Sequence, residues 1–148
     1  MNNKIPPPIV TLICGLGIYF SRPFFPEYIL SINNILSIFI LFLGFGILII
    51  SAASFKKHQT TINPLKPEQA SSLVISGIFS FSRNPMYLGR LLMLFSTALF
   101  LKNFISFLII PLFILFITRN QILPEEESLD NIFREEYKNY KKKVRRWI

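Results

Sequence analysis

The chain reads as an all-α, multi-pass integral membrane protein. It should hold about four transmembrane helices, the last two forming a tight helical hairpin, followed by a C-terminal amphipathic helical tail. Three observations predict this. Of the 148 residues, 51% are hydrophobic, and they fall in blocks. No charge occurs from Tyr28 to Phe55 or from Asn103 to Thr118, where a span of the hydrocarbon core needs roughly 20 apolar residues. The basic residues behind the net charge of +8 gather at block ends, mainly Lys56, Lys57, Arg83 and the final stretch. That is the positive-inside pattern rather than a nucleic-acid signal.

The first segment runs from about Ile9 to Phe20. Lys4 and a short apolar run resemble a signal peptide, but Pro6-Pro7-Pro8 precedes the run and Arg22-Pro23-Phe24-Phe25-Pro26 follows in place of a small-x-small cleavage site. A retained span is the expectation. The second segment, about Ile29 to Phe55, is long enough to tilt, and Asn33 and Asn34 place its start at the interface. Gly44 and Gly46 offer room for close helix approach.

A polar connection from Lys56 to Arg83 follows, with Thr60, Thr61, Pro64, Pro67 and Gly77. Its length invites a functional reading. Segments three and four run from about Met86 to Leu101 and Phe104 to Thr118, parted by Lys102-Asn103. This spacing predicts the helical hairpin, with Lys102 snorkelling. Such a hairpin returns the chain to the side it left, so the Lys56–Arg83 loop and the tail share one basic, cytoplasmic face.

The tail, Pro124 to Ile148, reads as one amphipathic helix or a pair. Pro124 suits a first helical position, with Glu125, Glu126 and Glu127 facing the positive end of the helix dipole. Leu129, Phe133, Tyr137, Tyr140, Val144 and Trp147 recur at spacings of three and four, which predicts one apolar stripe. With Lys141, Lys142, Lys143, Arg145 and Arg146 beside it, the tail is expected to lie on anionic lipid and cap the hairpin.

Two polar clusters carry the candidate chemistry. Pro85 forces Arg83 and Asn84 to precede the third span or open it, and Arg83 with Tyr87 and Gly89 reads either as an anion site or as a basic anchor with an aromatic-belt residue. Arg119 with Glu125-Glu126 reads either as a binding pair for ribose hydroxyls or a cationic group, or as helix-end charge with an anchor. His58 is the single histidine and Cys14 the single cysteine. Together they exclude a zinc site of the usual kind and an internal disulfide. Neither a Walker loop nor a Gly-x-Ser-x-Gly elbow is present. A small proton-coupled transporter needs an intramembrane carboxylate, and Glu27 and Glu68 lie outside the apolar blocks. A scaffold would leave both clusters without a ligand.

Leu73-Val74-Ile75-Ser76-Gly77, then Ser82-Arg83-Asn84-Pro85-Met86-Tyr87-Leu88-Gly89, resembles the signature of the isoprenylcysteine carboxyl methyltransferase family, whose superfamily includes the phospholipid N-methyltransferases. Arg119, Glu125-Glu126, Leu129, Phe133, Tyr137, Tyr140 and Val144 resemble its second signature, and the resemblance covers about residues 55–148. The resemblance implies that residues 56–148 form the cofactor-binding core of a chain whose length suits a single membrane domain over residues 1–148, with the two N-terminal spans in 1–55. It also implies S-adenosylmethionine as cofactor, bound without a Rossmann domain. Leu73, Val74, Gly77, Arg83, Asn84, Tyr87 and Gly89 would line that cofactor, Glu125 and Glu126 would meet its polar groups, and Arg119 would stand where cofactor and acceptor join.

The implied partners are the lipid bilayer and a lipophilic acceptor, with no metal and no nucleic acid. For a carboxylate acceptor, Arg119 would orient it by charge-assisted hydrogen bonds; for an amine, Glu126 is the nearest base. Two positions depart from the family pattern. Asn84 stands where many members have His, and Arg134 where many have Gly. The rival enzyme, a steroid-reductase-like membrane reductase using NADPH, fits the Glu125-Glu126 pair less well, because a phosphate-bearing cofactor prefers cations.

Overall fold

The computed structural model describes residues 5–27, 34–59 and 71–148. Thr60, Thr61, Pro64, Pro67 and Glu68 of the long connection lie outside the described residues, as do Lys4, Asn33 and the stretch 29–33 at the expected start of the second segment. Five α-helices follow in order: α1 Pro7–Phe20, α2 Asn34–Lys57, α3 Pro85–Leu101, α4 Ser106–Ile117 and α5 Leu123–Lys143. Each apolar block becomes a helix because, away from water, a helix satisfies its own backbone polar groups. Pro7 and Pro85 sit in first turns, where a missing N–H costs nothing.

The helical run containing α2 and the one beginning with α4 are long and apolar enough to cross a membrane, whereas α1 and α3 are apolar but shorter. Only 17% of the most apolar window of α2 is buried. Ile35, Phe39, Phe42 and Phe45 are exposed along it. Apolar surface of that extent marks a face that meets lipid or another protein.

The most extensive packing joins α2 to α3. The buried residues of α2 are Ser37, Gly44 and Ser51, small side chains seven residues apart. They let the backbones approach, and Ser96 on α3 donates its hydroxyl to the Ser37 carbonyl at 2.5 Å. A Cβ on Gly44 would stand 2.7 Å from the carbonyl oxygen of Gly89, and one on Gly89 would stand 2.7 Å from that of Gly44. Gly46, in contrast, faces open space.

α3 and α4 are linked by residues 102–105 and pack on each other and on α1. Lys102 ends α3 in the left-handed region, at φ 51°. Buried Asn103 fixes the link, its Nδ2 donating to the Ile18 carbonyl at 3.2 Å and to Ser21 Oγ at 2.9 Å. The core beneath it holds Ile18, Leu94, Phe113, Ile117 and Ile122.

The chain does not break after α4. A π turn over Thr118–Ile122 carries it directly into α5. This corrects the expectation that Pro124 starts a separate helix with a free positive end. Its ring and missing N–H are tolerated because the wider π turn lies just before it. The tail is nonetheless two helical pieces, bent at Arg134 (φ 41°, ψ −112°), with Lys141 reaching back across the bend to Asp130 at 2.5 Å. Its apolar stripe does not face lipid. Leu73 packs against Tyr137, Tyr140 and Val144, and Trp147 packs on the main core.

Candidate functional site

Three stretches of chain meet at the start of α3. Asn84 is its N-cap, and the Asn84 N–H is held by Ser82 Oγ at 3.1 Å. Asn84 Nδ2 donates to the carbonyl of Arg146 at 3.0 Å, and the Arg83 N–H donates to the carbonyl of Arg145 at 3.0 Å. The segment after α5 therefore runs beside residues 82–84, and its extended start at Val144 delivers the Arg146 side chain to the first turn of α5. There the guanidinium meets Glu126, with Nε to Oε1 at 3.0 Å and Nη2 to Oε2 at 2.8 Å. Arg83 reaches the same carboxylate at 3.2 Å. Glu126 is 8% exposed and the Arg83 side chain 10%, so this pair is buried, with Arg146 half-buried beside it.

One turn into α3, buried Tyr87 donates its hydroxyl to Glu125 Oε1. The guanidinium carbon of Arg90 lies 5.7 Å from the centre of the Tyr87 ring, a cation–π distance. Glu125 stands beyond the apolar stretch that ends α4, yet burial pushes its carboxyl up to about 8, above the ordinary 4.5. The Tyr87 hydrogen bond and Arg90 act against that rise without cancelling it.

The loop before α3 closes the other side. Ser71 and Ser72 donate their hydroxyls to the carbonyls of Gln59 and His58, both at 2.9 Å. They tie the loop to the end of α2. Phe55 and Phe79 meet edge to face at 5.1 Å, and the Tyr140 hydroxyl holds the Phe79 carbonyl at 2.5 Å. Gly77 opens a 3-10 turn at φ +63°, where glycine is favoured, and the space beside its Cα is empty.

Of the residues expected from sequence, Arg83, Asn84, Tyr87, Glu125 and Glu126 come together in one cluster. Gly77 and buried Val74 stand on the loop that leads to it, and Leu73 is committed to packing on the tail. Gly89 is a correction: it lies against Gly44, so its missing side chain makes room for a helix. Arg119 is not brought to the cluster. It is exposed in the π turn and forms no hydrogen bond or ion pair among the described residues. Glu126, expected to act as a base, has both oxygens engaged by guanidinium groups.

Sequence reasoning missed Arg90 and Arg146. Arg90 had a legible signal, a charge one turn inside an apolar run. Arg146 had none, since it stands among basic residues that read as lipid contacts.

The arrangement can hold a ligand bearing both charges. Arg83 Nε and Nη1 are buried and have no acceptor among the described residues, and such donors are rarely left unpaired. Glu125, the residue just before Glu126, offers a second carboxylate. Among the described residues no group of three or more His, Cys, Asp or Glu side chains comes together to hold a metal.

Comparison with known proteins bears on this cluster. The model of the phospholipid methyltransferase family matches residues 32–136. A protein-S-isoprenylcysteine O-methyltransferase of Schizosaccharomyces pombe is 31% identical over 126 residues, covering 81% of this chain and 52% of that protein. The Mus musculus protein of the same name is 27% identical over 146 residues, covering 97% of this chain and 51% of its own length. The chain thus spans about half the length of these two relatives. An uncharacterized protein of Haemophilus influenzae is 46% identical over 63 residues, 43% of this chain and all of that protein. No solved structure matches.

Proposed function

The chain belongs to the phospholipid methyltransferase family, and from that membership we propose that it is a membrane-embedded, S-adenosylmethionine-dependent methyltransferase acting on a lipophilic acceptor. The observation that carries this reading is the pair of buried, unpartnered donors on Arg83. They lie in the motif that resembles the family signature, beside a carboxylate of opposite sign. The cofactor has a carboxylate for those donors and cationic groups and ribose hydroxyls for Glu125.

When bound, S-adenosylmethionine supplies an activated sulfonium methyl. The chain's own residues hold and orient. Arg83 receives the anionic end by charge-assisted hydrogen bonds. Tyr87 fixes the Glu125 carboxyl by its hydroxyl. Gly77 leaves space for close approach, and Asn84 keeps the segment after α5 folded over the site. Glu126 serves as the structural centre of the triad rather than as a base. The acceptor does its chemistry by being positioned in line and shielded from water. In this reading residues 56–148 carry the cofactor site, the two N-terminal helices complete the membrane part, and the site faces the cytoplasm, where Lys56, Lys57 and the basic tail favour it.

The test is calorimetric titration of S-adenosylmethionine and S-adenosylhomocysteine into the detergent-purified protein, with NADPH as control, at pH 6.5 and 9. Both sulfur ligands should bind and NADPH should not. Below about 8 the Glu125 carboxyl holds a proton, which a cationic ligand must expel. Affinity therefore rises with pH up to that value and flattens above it, and the heat at pH 6.5 depends on the ionisation enthalpy of the buffer. Failure of both sulfur ligands to bind a folded sample, or binding of NADPH in their place, would sink the proposal. The same carboxyl makes the unliganded protein less stable as pH climbs from the ordinary carboxylate range towards 8, because the native state keeps a proton that the unfolded state releases.

A further inference from the structure

Resting on the methyltransferase reading, we propose that the segment after α5 closes the cofactor site by docking on anionic lipid headgroups, so that a negatively charged bilayer raises cofactor affinity. Val144 leaves the helix in an extended conformation, and the residues around it divide between two tasks. Val144 is buried, Arg146 clasps Glu126, and Trp147 packs on the main core. Two backbone carbonyls of the same segment hold Arg83 and Asn84. Lys142, Lys143 and Arg145 are instead exposed.

Charge and position together select the partner. From Tyr137 to Ile148 every charged side chain is a cation. Lys138 is paired with Glu135, Lys141 with Asp130 and Arg146 with Glu126. Lys142 acts on Glu135 electrostatically without an ion pair. Lys143 and Arg145 form no ion pair among the described residues. α2, long and apolar enough to cross a membrane, ends on exposed Lys56 and Lys57. Its Phe55 touches Phe79, whose carbonyl accepts from Tyr140 of α5. The basic surface therefore stands where a membrane helix ends, within reach of headgroups. Phe81 is 77% exposed and Ile75 45%, both in the stretch that leads to Arg83. Lipid phosphates neutralise such cations, and the headgroup–acyl boundary takes such apolar side chains. An acidic soluble partner would answer the charge alone. Each cation near an anionic surface strengthens attachment roughly fivefold. Attachment favours the closed segment, and a ligand that needs Arg83 and Asn84 held in place gains by linkage.

The experiment compares the full chain in nanodiscs of phosphatidylcholine and in nanodiscs containing about one-third phosphatidylglycerol. Hydrogen exchange of the Arg83 amide, which donates to Arg145, reads closure without any ligand. Titration of S-adenosylhomocysteine reads the coupling. This ligand is zwitterionic, so the surface potential does not concentrate it. In the anionic discs exchange should slow and affinity should rise, each about tenfold, within the usual range for coupled sites. Both gains should fade as salt is raised. They should also shrink in Lys142→Gln/Lys143→Gln, a variant that should bind like the wild type in phosphatidylcholine. Equal exchange in the two discs overturns the docking, equal affinity overturns the coupling, and neither comparison needs a variant. A gain that the double variant keeps in full removes these lysines from the surface and overturns the assignment. Inorganic phosphate or a poly-glutamate peptide that reproduces the gain in phosphatidylcholine discs removes the bilayer as partner. If S-adenosylhomocysteine binds equally in both discs, only this proposal fails. If it binds in neither, the methyltransferase reading fails, and hydrogen exchange still decides the docking.

Discussion

Arg146 clasps Glu126 with two parallel hydrogen bonds, 3.0 and 2.8 Å long, from a position 20 residues further along the chain. Arg83 completes the triad from the mouth of α3. The pair links the segment after α5 to the first turn of that helix, and the same segment supplies carbonyls to Arg83 and Asn84. One carboxylate therefore organises three separate stretches of chain.

Glu126→Ala should destabilise the fold, not merely the site. It would leave the buried Arg83 guanidinium without its counter-charge, and breaking a buried pair in this way costs about 3–5 kcal/mol. Arg146 is 35% exposed on its side chain, so Arg146→Ala should cost clearly less. Thermal unfolding in detergent, followed by circular dichroism, reads both. A Glu126→Ala protein that melts like the wild type would show that the triad carries no structural weight.

Gly44 and Gly89 are mutually dependent. Each would place a Cβ 2.7 Å from the other's carbonyl oxygen, and backbone cannot yield as a flexible side chain can. Gly44→Ala and Gly89→Ala should each destabilise by about 1–3 kcal/mol, the usual range for overpacking. The double variant should cost less than the sum, because the helices have already been forced apart. Gly46→Ala meets nothing within 4 Å and should be neutral or stabilising, since alanine is the better helix former by about 1 kcal/mol. Equal effects at Gly44 and Gly46 would rule out the close approach.

Helices formed where apolar blocks predicted them because local patterning and the demand for backbone satisfaction agree. The starts at Pro7 and Pro85 lie within two residues of the expected Ile9 and Met86. What the pattern could not supply was partners. The stripe through Tyr137, Tyr140 and Val144 announces a buried face, but its cover is the loop at Leu73 rather than lipid. Gly89 reads as room for a ligand until Gly44, 45 residues earlier, is placed against it. The π turn before Pro124 was hidden because the same residues, Pro then Glu, also mark the start of a helix. The sevenfold spacing of Ser37, Gly44 and Ser51 was legible, and it points to the face that meets α3.

Arg134 explains one departure from the pattern that the chain resembles. Its φ of 41° and ψ of −112° form a backbone conformation that L side chains rarely adopt, at a typical cost of about 1–3 kcal/mol. Glycine has no Cβ to object, which gives a physical reason for the Gly found here in many members. The bend itself is held by Lys141 and Asp130 across it, and the Arg134 side chain is exposed. Arg134→Gly should therefore stabilise the protein by about 1 kcal/mol, once the roughly 0.5–1 kcal/mol entropy cost of glycine is deducted. Arg134→Ala retains the strained Cβ and should change little. Melting temperatures of the two variants separate the backbone effect from the loss of a surface charge. If alanine stabilises as much as glycine, charge is responsible and the strain at the bend is not.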